Sequence, residues 1–314
     1  MEAVYIILIC FAASIVPFGI IFVFVSTQQI FKNTMYRSPK KPRTRSCSDS
    51  SIAEHKHMFE LGTAWAEGHR DKIEEVHIVN DGLNLYGQYI NLNNDKCAFI
   101  VQGRTESLLY SYYYADVYAK NGYNILVIDT RAHGLSDGKY VTAGVKEYED
   151  IIVWIDLIKQ RYGIESFLLH GVCIGAASAI YAYCATKGDS PIKKIVTDGL
   201  YTNYYEMFRN HIINFNKPVL FFIYLTFFYA RVVTGGDVLN KTPYKHMKDV
   251  DLPILFLWSD KDVFATPDKS LELFEACASK QKEMRFFPKG NHSYVRYYNT
   301  EEYDRTIEEF INRE

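Results

Sequence analysis

Metal chemistry has little to stand on in this 314-residue sequence. Its six cysteines (Cys10, Cys47, Cys97, Cys173, Cys184 and Cys277) are scattered, none paired as Cys-x-x-Cys, and no Cys/His cluster has metal-ligand spacing. No metal site is expected, and the thiols do not form the framework of a small disulfide-stapled domain, which favours a reducing compartment for the folded part. Bulk charge is also scarce: the net value of −2 gives no electrostatic case for a nucleic-acid partner, and no basic-aromatic pattern supplies a local one. A glycine-rich phosphate loop is missing, so no nucleotide cofactor, or any other, is expected. Internal repeats are absent too. The length suffices for one large domain or two small ones.

Aromatic residues are abundant at 15%, with 25 tyrosines, consistent with a large pocket or an interfacial surface. From Ala3 to Val25 the chain is almost wholly apolar and uncharged, enough helix to cross a hydrocarbon core of roughly 30 Å. Pro17 and Gly19 are tolerable in a bilayer helix. Residues 1–31 are therefore expected to be a transmembrane anchor, with the lipid bilayer as partner through residues 3–25. Lys32, Arg37, Lys40, Lys41, Arg43 and Arg45 follow with no acid before Asp49, which by the positive-inside rule places the body on the cytoplasmic side. Residues 32–71 read as a basic linker and lead-in, able to hold anionic headgroups.

The body, residues 72–314, alternates. "EEVHIVN" and "LNLYGQYIN", split by Asp81-Gly82, predict a β-hairpin. Apolar β-runs follow ("CAFIV", "NILVID", "FLLHGV", "KKIVTD", "PILFLW", "MRFFP"), with helical periodicity near 108–120, 146–161, 174–187 and 269–279. Strands separated by crossover helices imply an α/β domain with a mostly parallel, doubly wound sheet. Between about 201 and 250 the alternation pauses, as for a helical cap. Its aromatic run "PVLFFIYLTFFYARVV" suits an acyl or aromatic substrate, a dip into the membrane interface, or burial against the core.

Chemistry in such sheets gathers at the carboxyl ends of strands, where "GVCIGAAS" places Cys173 at a strand-turn-helix junction. Gly171 and Gly175 supply the room a strained nucleophile elbow requires, and a helix N-terminus favours the thiolate. Later strand ends offer Asp260 and Asp262 in "SDKDVFATP" and His292 in "KGNHSY". His133, with Asp129 and Arg131, reads as a loop tie; His170 reads as a core histidine; Asp198 is a reserve acid or pocket lining.

These motifs, with "VQGRTES" and "DTRAHGLSDGKY", make the sequence from about Val76 onward resemble the α/β-hydrolase superfamily, in particular its bacterial, membrane-anchored, serine-aminopeptidase-like or cell-surface-hydrolase branch. The resemblance implies an α/β-hydrolase fold with a cap. It implies Cys173, in place of the usual serine, as nucleophile, His292 as general base and Asp262 as orienting acid, with Asp260 the competitor. The backbone N–H groups of Ile174 and Arg104 would form the oxyanion hole, and Gln102 stands where the family carries histidine. A small acyl substrate follows, with three outcomes open: an acyl hydrolase acting on ester, thioester or amide; an acyltransferase; or a silent membrane-bound binding protein. Oligomeric state is left open.

Overall fold

A computed structural model describes residues 2–37, 52–214 and 222–313. Most of the basic segment, including Lys40, Lys41, Arg43 and Arg45, and the cap stretch 215–221 with Pro218 lie outside the described residues.

Two helices precede the sheet, α1 (Glu2–Thr34) and α2 (Ala53–Gly68). The hairpin is β1 (Ile73–Asn80) and β2 (Leu83–Ile90), antiparallel in full register from Ile73↔Ile90 to Asn80↔Leu83. Its two-residue turn uses Asp81 and Gly82, both at positive φ (50° and 70°), the geometry that matches the twist of the flanking strands. Then come β3 (Lys96–Val101), α3 (Leu108–Ser111), α4 (Ala115–Lys120), β4 (Asn124–Ile128), α5 (Glu147–Tyr162), β5 (Ser166–Val172), α6 (Ile174–Thr186) and β6 (Ile192–Asp198). The cap contributes α7 (Tyr204–Asn214), α8 (Ile223–Thr234) and α9 (Pro243–His246). The chain closes with β7 (Ile254–Ser259), α10 (Pro267–Ala276), β8 (Lys282–Phe287), α11 (Val295–Tyr298) and α12 (Thr300–Ile311).

Among the described residues eight strands form one sheet in the order β1-β2-β4-β3-β5-β6-β7-β8, parallel from β4 onward. Strands covered on both faces carry no polar alternation: every residue of β4 and β7 is buried, whereas edge strand β1 buries Val76 and Ile78 between exposed neighbours. Helix α5 shows why sequence alone located it. Glu147, Glu149 and Asp150 fill its first turn, Lys159 and Arg161 its last, and Gly163 ends it at φ 70° with its N–H on the Lys159 carbonyl.

Three features differ from the sequence expectation. The helical stretch near 108–120 is broken by a 3₁₀ turn at Tyr112–Tyr114, where three buried tyrosines crowd the sheet. Helix α2 occupies part of the segment read as linker and lead-in, and it lies close against that tyrosine turn: Gly62 meets the Leu109 carbonyl, where a Cβ would stand 2.6 Å away. Helix α1 runs past residue 31 to Thr34 and docks on the body: Phe31 and Met35 are buried, Tyr36 bridges Tyr140, and the Arg37 guanidinium donates to the Ala132 carbonyl at 2.8 Å.

Candidate functional site

Cys173 ends β5 and begins α6 with φ 52° and ψ −111°, a left-handed backbone that is unfavourable for a residue bearing a Cβ. Its N–H donates to the Asp198 carbonyl at 2.8 Å and its own carbonyl accepts from Ala176 at 3.1 Å, so both neighbouring elements hold the turn. The two glycines are sterically required. A Cβ on Gly171 would lie 2.4 Å from Ala176 backbone, and one on Gly175 would lie 2.2 Å from the Val101 carbonyl oxygen. Ile174 is the first residue of α6, where backbone N–H groups have no partner inside the helix and point toward anionic ligands.

The loop after β3 is fixed from two sides. The Gly103 N–H donates to Glu106 Oε2 at 3.0 Å, and His133 Nε2 contacts the Arg104 carbonyl at 2.5 Å. Burial keeps His133 below its ordinary imidazole value, and the ring spans the loop, with Nε2 on the Arg104 carbonyl and Nδ1 between the Thr130 hydroxyl at 2.9 Å and the Arg131 carbonyl at 3.0 Å. His133 is thus a loop tie, as its motif implied. Asp129 accepts from the Leu108 and Leu135 amides, and Arg131 pairs bidentately with Asp150 at 2.6 and 2.7 Å. The Gln102 side chain is buried with both amide atoms unpaired.

Of the two aspartates after β7, Asp260 is exposed and Asp262 buried. Asp262 Oδ1 accepts from the Phe264 and Ala265 amides at 2.8 and 2.9 Å, leaving Oδ2 for His292 Nδ1 at 2.7 Å. Burial works against a charged His292, but the Asp262 carboxylate and then Cys173 outweigh it and hold the imidazole well above its ordinary value. Its Nε2 is buried without a hydrogen-bond partner, and the ring lines the same cavity as Cys173. The structure thus brings Asp262 onto His292, and His292 into one cavity with Cys173.

Sequence reasoning missed the groups that shape this convergence. Gly199, at φ 64°, faces the ring of His292; a Cβ there would sit 3.0 Å from Cε1, so glycine makes the space. The Asp198-Gly199 pair at a strand end was the available signal. Ser259 Oγ donates to the Gly290 carbonyl at 2.5 Å and ties the loops of Asp262 and His292 together. Asp198 and His170 lie under the site in a buried cluster: the Tyr303 hydroxyl donates to Asp198 at 2.8 Å, and His170 Nδ1 meets the Tyr118 hydroxyl at 2.9 Å. Burial depresses His170 to about 3, consistent with a neutral core histidine.

Cys173, His292 and Arg104 line one cavity of about 660 Å³, with Met207 and Phe208 of α7 and Phe264 as apolar walls. It is roomy enough for a small organic substrate. Among the described residues no group of three or more His, Cys, Asp or Glu could hold a metal ion.

A family model described as alpha/beta hydrolase fold matches residues 99–232. The Bacillus subtilis protein YqkD, uncharacterized, is 22% identical over 237 residues, covering 74% of this chain and 76% of its own. An uncharacterized membrane protein of Saccharomyces cerevisiae is 21% identical over 245 residues, 73% of this chain and 80% of that one. Among solved structures, the Pyrococcus furiosus esterase Pf2001 superposes with a TM-score of 0.67 at 22% identity, over 79% of this chain and 93% of its own. Mouse alpha/beta hydrolase domain-containing protein 10 gives 0.57 at 14% identity, over 76% and 98%. Together with the strand order and the elbow at Cys173, these similarities establish that the chain has the α/β-hydrolase fold.

Proposed function

We propose that the protein is a membrane-bound acyl hydrolase that uses Cys173, His292 and Asp262 through a thioester intermediate. The observation that carries this reading is the His292 imidazole, bonded to Asp262 at 2.7 Å and facing the elbow cysteine in a shared cavity. Cys173 Sγ attacks the acyl carbonyl while its proton goes to His292 Nε2; His292 then gives that proton to the departing alcohol, thiol or amine. Water, deprotonated by His292, attacks the thioester carbon, and the thiol leaves with the acid as product. Asp262 holds Nδ1–H throughout and stabilises the charged ring. The N–H groups of Ile174 and Arg104 are assigned to the oxyanion, worth about 3 kcal/mol of barrier per donor in comparable sites.

Attachment to the membrane rests on α1, whose Ile15–Thr34 stretch is long and apolar enough to span a bilayer. The basic residues from Lys32 to Arg45 orient it with the domain in the cytoplasm. The test is steady-state hydrolysis of short p-nitrophenyl esters and thioesters by the purified full chain. Turnover lost in Cys173→Ala supports the reading; turnover unchanged in that variant overturns it. Acyl transfer to an added amine, detected as the amide product, would shift the assignment to an acyltransferase on the same residues.

A further inference from the structure

The cap does not stand clear of the membrane helix. Helix α8 packs beside α1: Phe22 meets Phe222 at 6.2 Å, Phe31 meets Tyr229 at 5.3 Å, and the Gln28 amide donates to the Tyr229 hydroxyl at 3.3 Å. Phe22 precedes Lys32, the first basic residue after the apolar stretch, by about 15 Å of helix at 1.5 Å per residue. The start of α8 therefore lies alongside the apolar part of α1 rather than beyond its end. On the exposed side of α8, Tyr224, Phe228 and Val232 recur every fourth residue and are 58%, 53% and 71% exposed, with Tyr224 and Phe228 also bordering a recess that reaches Glu206 of α7 and Lys269 of α10. They continue the exposed apolar surface of α1 without a charged residue until Arg231, which pairs with Asp237. Between the helices runs an apolar groove of about 600 Å³ lined by Val16, Gly19, Ile20, Leu225, Phe228 and Val232.

The inner face of α8 leads to the site. Phe227 is fully buried against Tyr204 and Phe208, at 5.5 and 5.6 Å, and Phe208 lines the cavity with Cys173. From the other side, the guanidinium of Arg104 donates to the Thr34 carbonyl at the end of α1 (3.2 Å), so the cavity wall touches the membrane helix directly. We propose that α8 lies in the bilayer beside α1 and that the substrate is a membrane lipid whose acyl chain reaches Cys173 across the α7–α8 face. A chain of this kind matches the groove in polarity, and a bilayer covers the apolar faces of both helices, which water would otherwise meet. The substrate half rests on the acyl-hydrolase reading; the placement of α8 does not.

Two measurements on the full chain in phosphatidylcholine vesicles test the two halves separately. In the first, a tryptophan is added as Phe228→Trp or, for reference, at the exposed loop residue as Leu135→Trp, and the emission of the parent protein is subtracted. Vesicles with brominated acyl chains quench the added emission at 228 and leave that at 135 unchanged. Equal insensitivity at both positions overturns the membrane placement. In the second, Phe228→Asp with Val232→Asp lowers kcat/KM on a long-chain acyl ester embedded in vesicles by at least about tenfold, since charge on a lipid-facing surface is expelled. A short water-soluble ester is cleaved as before, which also shows the variant folded. Equal loss on both esters overturns entry from the bilayer. If the unmodified protein cleaves neither ester, the acyl-hydrolase reading fails together with the substrate half, while quenching still decides where α8 lies.

Discussion

At the scale of single residues, the site rests on how burial distributes charge. Against its burial, Asp262 above all holds the His292 imidazole well above its ordinary value, so the ring is suited to take up the proton that Cys173 gives up. Iodoacetamide should therefore alkylate Cys173 faster than the buried Cys97 and Cys277, and His292→Ala should slow that reaction, as read by peptide mass spectrometry. Asp262→Asn should cut turnover by a factor on the order of 10⁴, the loss that accompanies a wrong histidine tautomer, whereas Asp260→Asn, at an exposed position, should leave it nearly unchanged. Asp198 makes a different prediction. Burial, opposed by the Tyr303 hydrogen bond and by His292 but reinforced by Asp262 and Glu106, pushes its carboxyl from 3.8 up to about 7. The folded protein thus prefers the protonated acid: the contribution is complete below pH 4 and is lost as pH rises through about 7, on the order of 4 kcal/mol in all. Asp198→Asn, which mimics the protonated acid toward Tyr303, should raise the melting temperature relative to the parent at pH 8 and make little difference at pH 4. Cys173, Asp262 and His292 were legible because each follows an apolar strand. Gly199 was not, since its role is to leave space for a ring 93 residues further along the chain.

Secondary-structure elements were legible where one period dominates. The strands are short apolar runs with β-branched residues, and α5 carries charge at both ends that matches its dipole. Helices α2 and α12 went unread because their partners are distant: α2 is defined by packing on Leu109 and Tyr112–Tyr113, and α12 by burying Tyr303, Ile307 and Phe310, with Tyr303 over the interior strands β5 and β6. The junction of β5 with α6 makes the clearest prediction at this scale. Gly175→Ala would force a methyl against the Val101 and Gln102 carbonyls, backbone that cannot move aside cheaply. It should destabilise the protein by about 3 kcal/mol, the upper range for overpacking, and abolish ester turnover; denaturant unfolding and kinetics measure the two effects.

Over the whole molecule, the sequence divided an anchor from a domain, and the structure joins them. Phe31, Met35, Tyr36 and Arg37 bind α1 to the body, and the Thr34 carbonyl at its end holds the guanidinium of Arg104, which lines the cavity. No periodicity in either segment could show this, because the contacts cross about 100 residues of sequence between Arg37 and Ala132 and about 200 between Gln28 and Tyr229. In the proposed orientation the basic residues from Lys32 to Arg45 lie on the cytoplasmic side, with the body. Protease added to intact cells should therefore spare the domain and digest it after lysis; digestion before lysis would mean the opposite orientation. The central claim is that acyl groups pass through the sulfur of Cys173. The full chain mixed with a slow-leaving acyl thioester, quenched in acid within the first turnovers and digested, should yield the peptide containing Cys173 heavier by one acyl group, and Cys173→Ser should show no such thioester. Turnover of the same substrate by the unmodified chain, with every cysteine-containing peptide unmodified throughout and full activity in Cys173→Ala, would contradict it.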